Sequence, residues 1–152
     1  IDRAGVVRER SVPEFETGYR HVALRDGRLG VDEWFIGAWF RFRAGDMLAA
    51  RERIKDWLSK RVATQPLNLP NAGSVFRNPT GHHAARLIES CGLRGLTIGG
   101  AQVSTKHANF IVNLGTASAA DIENLIEKVY SVVKQQQGIE LEREIRIIGE
   151  KA

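Results

Sequence analysis

Apolar positions along the chain change period near Asp46. Before it the pattern is short and strand-like. After it, stretches of helical period alternate with short apolar runs. Residues 5–10 read as a short strand, residues 13–17 as an acidic irregular stretch, and Asp26-Gly27 as a hairpin-type turn. Residues 34–43 read as a half-buried strand, with Phe40 and Phe42 on one face and Arg41 and Arg43 on the other. Beyond it, Met47, Ala50, Ile54, Trp57 and Leu58 share one face of a helix that Asp46 is placed to cap. A proline-punctuated connector, residues 65–70, leads to a short apolar run broken by Gly73 and closed by Pro79. Ala84, Leu87, Ile88 and Cys91 follow the i, i+3, i+4, i+7 rule, which predicts a helix over residues 82–91 closed by Gly92.

Residues 92–100 then read as a glycine-rich loop and residues 108–113 as a strand with Phe110 and Val112 on one face. Ser118 and Asp121 have capping-box spacing at the head of a long stripe of Ile122, Leu125, Ile126, Val129, Val132 and Val133, which Gly138 ends. Residues 139–149 alternate, with Leu141, Ile145 and Ile147 on one side and Glu142, Glu144 and Arg146 on the other. This order predicts an α+β domain over residues 45–152, helices packed on a mainly antiparallel sheet, preceded over residues 1–44 by the last strands of another sheet domain.

Composition narrows the class without naming it. The 152 residues are 43% hydrophobic and 26% charged, ordinary for a soluble globular protein. No apolar run is long enough to span a bilayer, and no signal-peptide pattern opens the chain. One cysteine excludes an internal disulfide and fits a cytoplasmic location. Cys91 lies on an apolar helix face, where a buried inert thiol is the expectation rather than a nucleophile. His82 and His83 are adjacent and point apart, and no second cluster completes a ligand set, so no metal site is expected. The net charge of +4 is compatible with an anionic partner or with a merely solvated surface. No recognition-helix or RNA-binding motif appears, so nucleic acid is not the expected partner.

The densest chemistry lies in residues 71–79, NAGSVFRNP. Ser74 directly follows a glycine, so its backbone can approach a ligand closely. Arg77 and Asn78 add a guanidinium and an amide in the same extended segment. By itself this is either a plain turn or a ligand-facing strand-turn-helix junction.

That stretch resembles the NAGSxF(R/K)NP signature of the UDP-N-acetylenolpyruvoylglucosamine reductase family. Four further segments are similar to the family in the same order: GYR at 18–20, QPL at 65–67, GGAQVSTKHANFIVN at 99–113 and LEREIRIIG at 141–149. Five ordered motifs are far more specific than one. The resemblance runs from Tyr19 to Gly149 and implies the C-terminal portion of a flavoenzyme about twice this length. The chain opens at Ile1 rather than Met, which fits a piece of a larger enzyme.

The resemblance implies that NADPH reduces a bound FAD, which in turn reduces the enolpyruvyl group of a UDP-sugar, giving UDP-N-acetylmuramate for peptidoglycan. It implies catalytic roles for Arg20, Ser74 and Glu144. Arg20 would hold the reacting carboxylate by fixed positive charge. Ser74 would donate a proton, and Glu144, kept protonated by burial, would steady the developing charge. Tyr19, Arg61, Arg77, Asn78, Lys106 and His107 become candidates for substrate contacts, Arg61 toward the nucleotide phosphates. A commoner reading of the basic helix around Arg61 is a solvated face. Residues 45–152 would be the substrate-binding domain, and residues 1–44 the remnant of an FAD-binding domain whose other part is missing. No flavin-contacting residue is identified. Two departures from the family stand near the site: Val22 replaces a small hydroxyl residue, and Arg143 replaces a proline. A second expectation is a non-catalytic domain gripping a UDP-sugar or other anion through Arg61, Arg77 and Lys106.

Overall fold

The computed structural model describes residues 1–149. Its chain divides into two compact units, Ile1–Gly45 and the residues from Asp46 on.

The first unit is built on one hairpin. A 3-10 turn, Val12–Glu14, runs into β1 (Phe15–Gly18), which pairs antiparallel with β2 (His21–Leu24). Gly18 faces His21 in the register, so the two-residue turn is Tyr19-Arg20 and not Asp26-Gly27. The strand predicted over residues 5–10 does not form, and the stretch expected to be irregular, 13–17, holds the start of the hairpin. Residues 34–43 form no strand either, and Trp39, Phe40 and Phe42 are 95%, 77% and 84% exposed. Alternation makes a strand only where a neighbour accepts its hydrogen bonds. Among the described residues of this stretch, Trp34 exchanges backbone bonds with Ile1, and the rest have no ladder. Leu24 is the only buried apolar side chain described in this unit.

The second unit opens with α1 (Met47–Thr64). Asp46 caps it as expected, its carboxylate accepting from the N–H groups of Leu48 and Ala49. The shared apolar face is present, yet no residue of this helix is buried. Four antiparallel strands follow in the order β3-β6-β5-β4: β3 (Asn71–Ser74), β4 (Thr97–Ile98), β5 (Ala101–Val103) and β6 (Phe110–Asn113). The loop expected at residues 92–100 therefore contains a strand. Gly99 and Gly100 form the tight turn between β4 and β5, which periodicity over two- and three-residue strands cannot reveal.

Helix α3 (Ala119–Gln137) packs against this sheet, and α2 (Ala84–Ser90) packs against α3. Helix α2 is shorter than predicted, with His83 at its N-cap, and Cys91 is half-buried rather than buried. Helix α3 has the predicted capping box between Ser118 and Asp121, and Gly138 ends it at φ +68°. Phe76, Ile88, Leu125, Ile126, Val129 and Val133 anchor the core. The strand expected over residues 139–149 reduces to one bridge, Arg143 opposite Phe76, and Ile148 is almost fully exposed. The architecture is α+β, an antiparallel sheet covered by α3, with α2 packed against that helix.

Candidate functional site

The extended segment after β3 is held on both flanks. On one side, Val75 N–H donates to the carbonyl of Asn109 (2.9 Å). On the other, Val75 C=O accepts from Glu144 N–H (2.8 Å), and Arg77 N–H donates to Glu142 C=O (2.8 Å). Residues 75–77 thus lie between the head of β6 and the segment carrying Glu142 and Glu144. Ser74 is half-buried at the end of β3, where the register shifts between Asn71 and Ser74. Gly73 sits before it at φ +83°, a left-handed conformation that favours glycine. Asn71 locks this bend: its Nδ2 donates to Pro66 and Leu69 carbonyls, and its Oδ1 accepts from Gly73 N–H.

The charges around the segment are paired. Arg77 Nη1 lies 2.7 Å from Glu142 Oε1. Arg77 Nε is buried with no hydrogen-bond partner among the described residues. Glu144 is half-buried, and its Oε2 is shielded from solvent. Arg143, which stands where the family has a proline, pairs with Glu127 of α3.

The remaining candidates fall in separate places. Asn78 Oδ1 accepts from Ala84 N–H (3.0 Å), capping α2 where His83 supplies no side-chain cap. Lys106 Nζ donates to the carbonyl of Val62 near the end of α1 (2.6 Å). Arg61 Nε donates to Gln65 Oε1 (3.0 Å), so Arg61 and Lys106 both serve the C-terminal turn of that helix. His107 packs edge-on against Phe110, and its Nδ1 accepts from Asn109 N–H (3.3 Å). Burial holds its pKa below the usual value, Arg94 adding to the effect and Glu89 opposing it. Ser104, which sequence reasoning passed over, accepts from the N–H groups of Lys106 and His107 and shapes their turn.

Tyr19 and Arg20 belong to the first unit and form its hairpin turn. Arg20 has φ +52°, the one non-glycine residue in the left-handed region among those described, and its guanidinium lies 5.8 Å from the Tyr19 ring centre. Ser74 and Glu144 belong to the second unit.

Residues 65–148 match the model of the UDP-N-acetylenolpyruvoylglucosamine reductase C-terminal domain. The chain belongs to the UDP-N-acetylenolpyruvoylglucosamine reductase family. It is 60% identical to the UDP-N-acetylenolpyruvoylglucosamine reductase of Thiobacillus denitrificans over 99% of its own length and 46% of that protein's. It is 52% identical to the protein of that name from Nitrosospira multiformis, over all of this chain and 48% of the other. The chain thus spans about half the length of these curated relatives. The crystal structure of UDP-N-acetylenolpyruvylglucosamine reductase from Thermus caldophilus aligns with a TM-score of 0.52 at 37% identity, over 64% of this chain and 34% of that one.

The turn between β4 and β5 has no room for a cofactor phosphate. A Cβ on Gly100 would lie 2.2 Å from Ala117 N, and one on Gly99 would lie 2.3 Å from the Asp121 carboxylate. This glycine pair is filled by the head of α3 and the residues just before it. Among the described residues there is no cluster of three metal-ligating side chains, and no helix is long and apolar enough to cross a membrane.

Proposed function

We propose that this chain supplies the substrate side of a cytoplasmic reductase. The enzyme would convert the enolpyruvyl ether of UDP-N-acetylglucosamine to UDP-N-acetylmuramate in peptidoglycan precursor synthesis. One observation carries the reading: the segment after Ser74 is paired residue by residue with the segment carrying Glu144. FAD and NADPH, which the family implies, would supply hydride from the preceding portion of a longer polypeptide.

The tasks left to this chain follow from the chemistry of the substrate. Hydride addition to the double bond leaves negative charge beside the carboxylate, and a proton must reach the neighbouring carbon. Arg20, at the tip of its hairpin, suits the carboxylate because guanidinium keeps its charge and donates two parallel bonds. Ser74 is the proton donor, held on a bent backbone behind Gly73. Glu144 hydrogen-bonds the developing enolate as a neutral acid. Arg77, with one buried N–H to spare, and Lys106 bind the anionic nucleotide, together with Arg61, His107 and Tyr19. Asn78 contributes through the α2 cap that orients the following turn. Replacing Ser74 with alanine in the full-length polypeptide is expected to leave flavin reduction by NADPH intact and cripple reduction of the UDP-sugar. Equal slowing of both half-reactions sinks the assignment.

The filled glycine pair favours a second reading for the chain alone: a UDP-sugar or anion-binding domain without redox activity. UDP-sugar binding by the colourless, isolated chain supports it.

A further inference from the structure

We propose that Asn109 is a positioning residue of this site. Its side-chain amide stands in for a strand's peptide group along Phe76, and so fixes the Ser74–Arg77 segment against the one that carries Glu144. The inference rests on the proposed roles of Ser74 and Glu144.

Asn109 is 4% exposed, one of two buried polar side chains described. Its Oδ1 accepts from Phe76 N–H (3.0 Å), and its Nδ2 donates to Phe76 C=O (2.8 Å). Both partners are backbone groups of fixed polarity, so the orientation of the amide is unambiguous. The backbone C=O of the same residue accepts from Val75 N–H. One residue of the turn before β6 therefore makes three bonds to Val75 and Phe76.

The need for this device follows from topology. Beyond Ser74 the β3–β6 ladder ends, while Val75 C=O and Arg77 N–H turn to Glu144 and Glu142. Phe76 N–H and C=O then face the side where β6 has run out, and Phe76 itself is 1% exposed. Two unmet backbone groups at a buried position are costly. An asparagine amide carries the same donor and acceptor as a peptide bond and meets both. Without it the segment has no reason to keep the straight path that aligns Val75 with Glu144 and Arg77 with Glu142. The Ser74-to-Glu144 spacing depends on that alignment, and displacements of about 1 Å in an active site change rates by roughly 100-fold.

The test is made in the full-length polypeptide with Asn109→Leu, nearly isosteric but unable to bond either group. Val133→Ala, a buried change in α3 with no hydrogen bond to the segment, serves as a control for general destabilisation. Asn109→Leu is expected to lower the turnover of the UDP-sugar half-reaction about 100-fold with little change in KM, and to leave flavin reduction by NADPH as it was. It is also expected to speed amide exchange at Phe76, Arg77 and Glu144 at least about 10-fold beyond the control. Turnover or exchange no different from Val133→Ala overturns the proposal. If Asn109→Leu does not fold, the unsubstituted protein still decides. Its Phe76 amide must exchange as slowly as those inside β6, and fast exchange there overturns the clamp. If Ser74→Ala leaves UDP-sugar reduction untouched, the functional reading fails while the exchange result still judges Asn109.

Discussion

Glu144 donates its backbone N–H to the carbonyl of Val75 across 2.8 Å, one residue beyond Ser74. The bond uses only main chain, so the carboxyl can be altered without breaking the pairing that places it. Glu144→Gln is therefore expected to keep the thermal midpoint within about 2 °C, since this half-buried side chain is not a core anchor. On the proposed role the same change removes an acidic proton, and the UDP-sugar half-reaction is then expected to slow by about 100- to 10,000-fold. Stopped-flow measurement of the two half-reactions checks this. Wild-type turnover in the variant would remove Glu144 from the mechanism.

Gly100 makes a prediction about the fold alone. A Cβ there would sit 2.2 Å from Ala117 N and 2.4 Å from Thr116 C, both main chain, so the turn cannot relieve the clash by moving a side chain. Gly100→Ala is expected to cost about 2–3 kcal/mol in urea unfolding. Gly37→Ala, with nothing within 4 Å of the added carbon, is the matched control. Equal stability of the two variants would show that α3 does not close on this turn.

What the sequence disclosed depended on how each element is stabilised. Helices α2 and α3 and the capping box were legible because their apolar period and their caps are local. Ser74, Arg77 and Glu144 were legible only as motif positions; their pairing through Val75 joins residues about seventy apart, which no local pattern encodes. The strand over residues 34–43 was misread because alternation reports a face, while pairing needs a partner. The part played by Asn109 has no local pattern of its own. The available signal was an amide between two buried residues, Ala108 and Phe110, in an otherwise apolar run. Such an amide must find internal partners.

All three tryptophans are substantially exposed: Trp34 by 40%, Trp39 by 95% and Trp57 by 63%. In each unit separately, exposed aromatic surface of this kind is expected to be covered in the full-length polypeptide. The 152-residue chain alone is expected to fluoresce near the wavelength of tryptophan in water and to bind ANS. In the full-length polypeptide the emission should shift to the blue and ANS binding should fall. Blue emission from the isolated chain would mean that its own residues cover these rings.

Asp121 sets an acid limit on α3. The Ser118 backbone N–H, and then its hydroxyl, hold this carboxyl below its usual pKa of 3.8. A carboxylate with a depressed folded-state pKa stabilises the fold above the unfolded value, and that contribution is lost as pH falls through the folded value. Urea midpoints are expected to be insensitive to this group above pH 5 and to drop below pH 4. Asp121→Asn should show a shallower drop over that interval, and an unchanged slope would contradict the capping-box assignment.

His107 works in the same direction at higher pH. Burial is the main reason its pKa lies below 6.5, because the charged imidazolium loses its hydration against Phe110. The bond from Asn109 N–H to Nδ1 also requires that nitrogen to be unprotonated. In the unfolded chain the ring titrates near the usual 6.5. Between that value and the lower folded one, the unfolded state binds more protons, so stability falls as pH falls. Above about pH 7 the contribution is complete. The urea midpoint is expected to decrease from pH 7.5 to pH 5.5, and His107→Phe should remove part of that decrease while His82→Phe, at an exposed position, should not. Because Asn109 N–H loses its acceptor when His107 is protonated, the low-pH state should also exchange the Asn109 amide faster. A midpoint that rises on acidification, or an Asn109 amide indifferent to pH, would separate His107 from the turn that carries the clamp.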